Sequence, residues 1–324
     1  MNAKWILGFT ARRLLYAIPM VLAVVVVNFL LIQLAPGDPV TVLIGDYPVS
    51  QEYVDNIRAQ YGLDRPVLVQ LWIYLSHVLR GDLGQSFSQR QAVSTLIMER
   101  MAATLQLTLT ALLFAVIVGI ILGVLGARFR SSAIDSATQG VTLLGYSIPE
   151  FWLGQILILV FAVNLGWLPS GGARPTRGSN FTFWDLAPYI ILPALALSFR
   201  YIAIIGRMTR SSLLEINNAD FITAARSRGL TEGQVLLRHT MKNASPPVIT
   251  VIGYNMGFIL AGSVMVETVF SWPGIGRLLY ESIGARDYPV LTGVLLIISI
   301  TVVVANLLTD IVNALIDPRV AGRG

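Results

Sequence analysis

The chain has 324 residues, 55% of them hydrophobic and only 13% charged, with a mean hydropathy of +0.69. A soluble globular domain carries about 25% charge, so this composition excludes an ordinary soluble enzyme and defines a membrane protein. The net charge of +5 rests almost wholly on arginine and reads as anchoring of cytoplasmic loops rather than nucleic-acid binding, while the lack of cysteine excludes disulfides, Cys-ligated zinc and cysteine nucleophiles.

Lys4, Arg12 and Arg13 precede an apolar run over 14–34. That run is of spanning length, longer than the apolar region of a signal peptide, and no A-x-A site follows it, which predicts a retained first helix. Further apolar stretches lie at 102–126, 140–165, 187–206, 246–266 and 289–309. Backbone groups in hydrocarbon must bond internally, so the expected fold is an all-α integral membrane protein with six transmembrane helices. The segments do not show the short alternation of a β-barrel.

With both termini in the cytoplasm, the inner segments 1–13, 127–136, 207–245 and 310–324 hold most of the basic residues. The short outer loops hold Arg174, Arg177, Arg277 and Arg286. In the long first outer loop, Pro36-Gly37-Asp38-Pro39 stops the first helix. A helical segment is expected from Val49 to Tyr61, closed by Gly62, and another from Asp64-Arg65-Pro66 to Leu79.

Two ionisable residues fall inside the spans. Glu150 and Arg200 each sit roughly 10 Å from the cytoplasmic end at 1.5 Å per residue. A charge there is costly and faces a cavity or a partner. The two either pair with each other, face an interior cavity, or mark a span that begins later than drawn. Pro149 bends the third span at this point.

The segment between spans four and five carries the clearest design. Asn218 or Asp220 caps a short helix, Gly229 ends it in the left-handed conformation, and Thr231 with Gln234 has capping-box spacing for a second helix. Ala224 and Ala225 offer a smooth surface for close approach, and Arg226, Arg228 and Arg238 suit acidic groups on a partner. Its plain alternative is an amphipathic hairpin resting on lipid headgroups.

Thr223-Ala224-Ala225-x-x-x-Gly229 resembles the EAA loop of ABC importer permeases, with Thr223 in place of glutamate. His239 and Met241 stand where that pattern has Ile and Leu, and its proline is displaced to Pro246-Pro247. These departures resemble the dipeptide/oligopeptide branch. So do Arg12-Arg13-Leu14, Tyr61-Gly62-Leu63-Asp64, Gly81-Asp82-Leu83-Gly84-Gln85-Ser86 and the block from Arg207 to Ser212. The segment from Glu267 to Gly276 is the most distinctive block, and Arg286-Asp287-Tyr288-Pro289 and Asp317-Pro318-Arg319 complete the set.

The resemblance implies three parts: an N-terminal helix and outer loop over 1–97, a permease core over 98–312 with its coupling loop at 216–242, and a tail over 313–324. Thr223, Ala224, Ala225, Arg226, Arg228 and Gly229 would couple the chain to an ATPase. It further implies a second homologous permease, two cytoplasmic ATPase subunits, a periplasmic or lipid-anchored binding protein, and the bacterial inner membrane. The cargo would be a short peptide, glutathione, a nickel complex or an oligosaccharide. No cofactor is expected in this chain. A P-loop needs lysine after glycine, and neither Lys4 nor Lys242 follows one, so ATP and magnesium belong to the partner subunits. His77 and His239 lie too far apart to form a metal site. Between Phe270 and Tyr280 a packed outer re-entrant loop is expected rather than direct substrate contact. Rival classes are a proton-coupled carrier working through Glu150 and a membrane enzyme, which would need a cluster of polar residues at one face.

Overall fold

In the computed structural model the described residues are 3–34, 50–52, 55, 64–173, 183–260 and 262–316. The expected helix over Val49–Tyr61, the Pro36–Pro39 turn, Arg174 and Asp317–Arg319 lie wholly or mostly outside them. The described elements are α-helical with π-helical turns. They are α1 (Ala3–Leu34), α2 (Val67–Leu79), α3 (Val93–Arg128), α4 (Ala133–Ser147), α5 (Glu150–Leu157), α6 (Phe183–Asn217), α7 (Asp220–Ser227), α8 (Glu232–Gln234), α9 (Met241–Leu260), α10 (Val264–Val269), α11 (Ile275–Gly284) and α12 (Tyr288–Ile316). α5 runs on as a π-helix over Ile158–Asn164, and a second π-helix over Val235–Thr240 joins α8 to α9.

Among the described residues four helices are long and apolar enough to cross a bilayer, α1, α3, α6 and α12, and the count rises to five if α4 and α5 form one broken span. Six were expected, and two of the expected spans depart from single helices. The third is bent by 105° between α4 and α5. Ile148 is extended, at φ −88° and ψ 122°, because the ring of Pro149 disfavours helix in the residue before it. The fifth divides into α9 and α10 around Gly262, whose φ is +85°. α9 also carries Lys242, Asn243 and Asn255, which lower its apolar character.

α6 is the axis of the molecule: 61% of its spanning window is buried, against 33% or less in α1, α3 and α12. α3 lies tightly along it. A β-carbon on Gly123 would come within 2.5 Å of Thr209 Cβ and 2.7 Å of the Gly206 carbonyl, and one on Gly119 within 2.9 Å of Ile205 Cβ. Lipid gives helices no hydrophobic reason to associate, so small residues that let backbones approach supply the contact. The outer face of α3 is the reverse: Leu109, Leu113, Ile117 and Ile121 are each about half exposed, as a lipid-facing surface requires.

α1 packs against α12. Arg13 pairs with Asp310 at 2.9 Å, which places the start of α1 and the end of α12 on one side of the bundle. At the other side, Gln33 donates to Gln70 at 2.6 Å and Phe29 stacks on Tyr74 at 5.9 Å, fixing α2 beneath the end of α1. α2 itself begins after Pro66, as the sequence predicts.

Candidate functional site

The hairpin after α6 is built as a rigid unit. α7 starts from Ala219, which has no capping side chain, so neither Asn218 nor Asp220 fills that role. Asp220 instead lies in the first turn, where its charge complements the helix dipole. Ile222 and Ala225 are buried with Val235, anchoring α7 to the segment that follows. The expected two-alanine surface is therefore halved: Ala224 is exposed beside Phe221 and Thr223, and Ala225 faces inward.

Gly229 has φ +79°, a conformation that an L side chain adopts only under strain. Thr231 then caps α8 reciprocally: its backbone N–H donates to Gln234 Oε1 at 3.1 Å, and its Oγ1 accepts from the Gln234 N–H at 3.4 Å. Arg226 spans the turn and grips Glu232 through two hydrogen bonds of 2.9 and 3.3 Å. The guanidinium expected to await a partner is thus already paired within the hairpin. Arg228 and Arg238 are exposed and make no ion pair among the described residues. A cleft of about 370 Å³ opens between α3, α4 and α6, and one of about 290 Å³ lies beside the hairpin, lined by Arg128, Phe129, Asn217 and Leu236.

The two helix breaks meet in the interior. Glu150 is the first residue of α5, so it stands at a helix start and not within a continuous span. Its Oε1 accepts from Ser263 Oγ at 2.5 Å, and Ser263 also caps α10 by accepting from the Val266 N–H at 3.3 Å. Glu150 and Arg200 form no ion pair. Arg200 is exposed on α6.

One step further lies a carboxylate whose weight the composition did not reveal. Glu267 is wholly buried. It accepts from Thr104 Oγ1 at 2.8 Å and from the Arg277 N–H at 2.9 Å, while Thr104 Oγ1 accepts from the Ile275 N–H at 2.8 Å. The carboxylate thus caps α11 from outside and ties it to α3. Trp272 and Phe270 are also buried, with Trp272 Nε1 donating to the Ala103 carbonyl at 2.9 Å. The packed loop expected from Phe270 to Tyr280 holds only as far as Gly274, with Phe270 and Trp272 buried, and from Ile275 the segment is helix α11. Glu267 could have been found by its place in the block that ends at Gly276, since carboxylate and glycines serve one another.

A second clamp unites two sequence blocks. Asp287, fully buried, accepts from Ser86 Oγ at 2.6 Å, Ser88 Oγ at 2.8 Å and the Ser88 N–H at 3.0 Å. Burial would raise its pKa, but the donors from Ser86, Ser88 and Phe87 outweigh that and hold it below the usual 3.8. The sign follows: a depressed folded pKa gives stability that is complete above the unfolded value and is lost as pH falls through the folded one. Acidification below about pH 3.8 should therefore free the loop around Ser86–Ser88. Asp287→Asn should free it at neutral pH, read as at least a tenfold gain in protease cutting there with the spans intact. Equal cutting of the variant and the parent would refute the clamp.

An axial helix packed on glycines, two broken helices joined at Ser263 and a rigid hairpin at one end define a polytopic transport permease. The chain belongs to the family of binding-protein-dependent transport system inner membrane components, matched over residues 115–322, with the N-terminal family of the same systems matched over 6–108. It is a multi-pass inner-membrane protein. It is 39% identical to the di/tripeptide transport system permease protein DppB of Pseudomonas aeruginosa, over 97% of this chain and 98% of that one. It is likewise 39% identical to the glutathione transport system permease protein GsiC of Salmonella choleraesuis, over 97% and 99%. Its fold is similar to an inward-facing structure of the MetNI methionine ABC transporter, with TM-score 0.55 and 23% identity, over 68% of this chain and 96% of that one.

Proposed function

We propose that the chain is one pore-forming half of an ATP-driven importer of short peptides, with its termini and the α7–α8 hairpin in the cytoplasm. The observation that carries this reading is the hairpin itself. The Gly229 turn, the Thr231–Gln234 box and the Arg226–Glu232 grip make a stiff knob at the end of the most deeply packed helix. A stiff knob transmits force, whereas a hairpin that only rested on lipid would need no such bracing. Thr223, Ala224 and Arg228 form its exposed contact face; Ala225, Arg226 and Gly229 hold its shape.

In this reading a second permease completes the pore. Two ATPase subunits bind ATP and magnesium and draw the hairpins together, and a periplasmic or lipid-anchored protein delivers the cargo. The chain itself catalyses nothing. Glu150 and Arg200 line the path without pairing, one suited to an ammonium and the other to a carboxylate. The di/tripeptide and glutathione relatives support a cargo of two or three residues.

The test is uptake in proteoliposomes holding the whole assembly. Trialanine should accumulate only with ATP and the binding protein, and a protonophore should leave the rate within about twofold. Accumulation driven by a proton gradient without ATP would replace this reading with the proton-coupled one.

A further inference from the structure

The lower half of α6 shows an unusual outer surface. From Arg200 to its end, the exposed positions are Arg200, Arg207, Ser211 and Glu215. Steps of seven, four and four put them on one face of a helix of 3.6 residues per turn. The contrast with the middle of α3 is direct, since from Ala111 to Ile121 the exposed residues are Leu113, Phe114, Ile117 and Ile121. A face carrying two arginines cannot lie against hydrocarbon without a penalty of several kcal/mol, so it borders a water-filled path or a partner surface, and the labelling below tests for the former.

Arg207 is the centre of that face. Its guanidinium lies 4.6 Å from the centre of the Tyr146 ring and donates to the Tyr146 hydroxyl at 3.1 Å. Both partners are neutral, so its charge is not cancelled. Arg210, one turn below, is the opposite case: Asp135 holds it through bonds of 2.8 and 2.9 Å. The 370 Å³ cleft lies over Arg207 and is walled by Gln139, Thr142, Leu143 and Leu122. A stacked guanidinium with free donors, polar groups to one side and leucines to the other suits a carboxylate attached to an apolar body.

We infer that Arg207, oriented by Tyr146, is a carboxylate station on the cytoplasmic half of the transport path, and that it receives the free C-terminal carboxylate of the peptide after Arg200. The inference rests on the importer reading and names the feature of the cargo that the path recognises. The seven-residue step from Arg200 to Arg207 spans about 10 Å along the helix. That is the step a tripeptide covers by advancing roughly its own length, extended at about 3.3 Å per residue.

The absence of native cysteine makes the test clean, because a single introduced thiol is the only one in this chain and its labelling is read on this chain after separation from its partners. Ile204→Cys lies between the two arginines, and Ile117→Cys on the outer face of α3 serves as the lipid control. In the full assembly, thiosulfonate reagents added from the cytoplasmic side should label Ile204→Cys at least tenfold faster than Ile117→Cys. The anionic sulfonatoethyl reagent should outpace the cationic trimethylammonium one, and adding Arg207→Gln should cut that preference about fivefold. Arg207→Gln should also lower trialanine uptake about tenfold, with Arg207→Lys recovering most of it. Equal labelling at Ile204 and Ile117 would place the face in lipid and overturn the inference, as would an anion preference unmoved by Arg207→Gln. Neither labelling result depends on transport. Failure of the importer reading would appear separately, as absent ATP-driven uptake by the unaltered assembly.

Discussion

Gly229→Val is expected to abolish the link between ATP hydrolysis and transport while leaving the permease inserted and assembled. Gly229 sits at φ +79° with open space where a side chain would stand, so the substitution meets no clash. Its effect is purely conformational. A left-handed residue with a β-carbon costs about 1–2 kcal/mol, and more when β-branched, so the turn shifts toward negative φ. The exit from α7 then swings away from Thr231, and both the capping box and the Arg226–Glu232 grip lose their geometry. Binding-protein-stimulated ATPase activity should fall more than tenfold, with yield and detergent behaviour unchanged. Gly233→Ala, also in open space and four residues on, should stay within twofold of the parent. Normal stimulated activity in Gly229→Val would remove the hairpin from the coupling role.

Gly274→Val should damage stability instead. A β-carbon at Gly274 would lie 2.4 Å from the Glu267 carboxylate. That group cannot retreat, because Thr104 and the Arg277 N–H hold one oxygen each. Either the valine is overpacked, at about 1–3 kcal/mol, or the carboxylate leaves and strands buried donors at about 1–3 kcal/mol each. The melting transition of the purified permease should drop by roughly 5–10 °C. Gly284→Ala, ten residues further in open space, should leave it unmoved. Glu267→Ala should reproduce the loss without any clash, which separates the missing network from simple crowding. A Gly274→Val protein as stable as its parent would show that the α11 start is not held by this carboxylate.

Much of this organisation was legible in the residue order. Apolar runs longer than a bilayer is thick leave helix as the only backbone solution, so α1, α3, α6 and α12 follow from hydropathy. Local rules also gave the Gly229 turn, the Thr231–Gln234 box, the start of α2 after Pro66 and the bend at Pro149, because each depends on a few adjacent residues. Composition could not give the pairing of groups distant in the chain. Arg226 looked free and is held by Glu232; pairing with Arg200 was one of three readings open for Glu150, which is met instead by Ser263. Asp287 and Ser86 are separated by two hundred residues yet share a hydrogen bond. Glu267 lay just outside an apolar run and drew no notice as a charge, although it binds α11 to α3. The fifth apolar stretch read as one span because hydropathy averages over a turn that Gly262 makes alone. Sequence by itself determined which segments are apolar enough to enter the membrane, since that depends on solvent transfer summed along the chain. Only the tertiary structure decided which charges are spent on the scaffold and which, like Arg200 and Arg207, remain available, since the energy of a buried charge is set by the few atoms within about 4 Å of it.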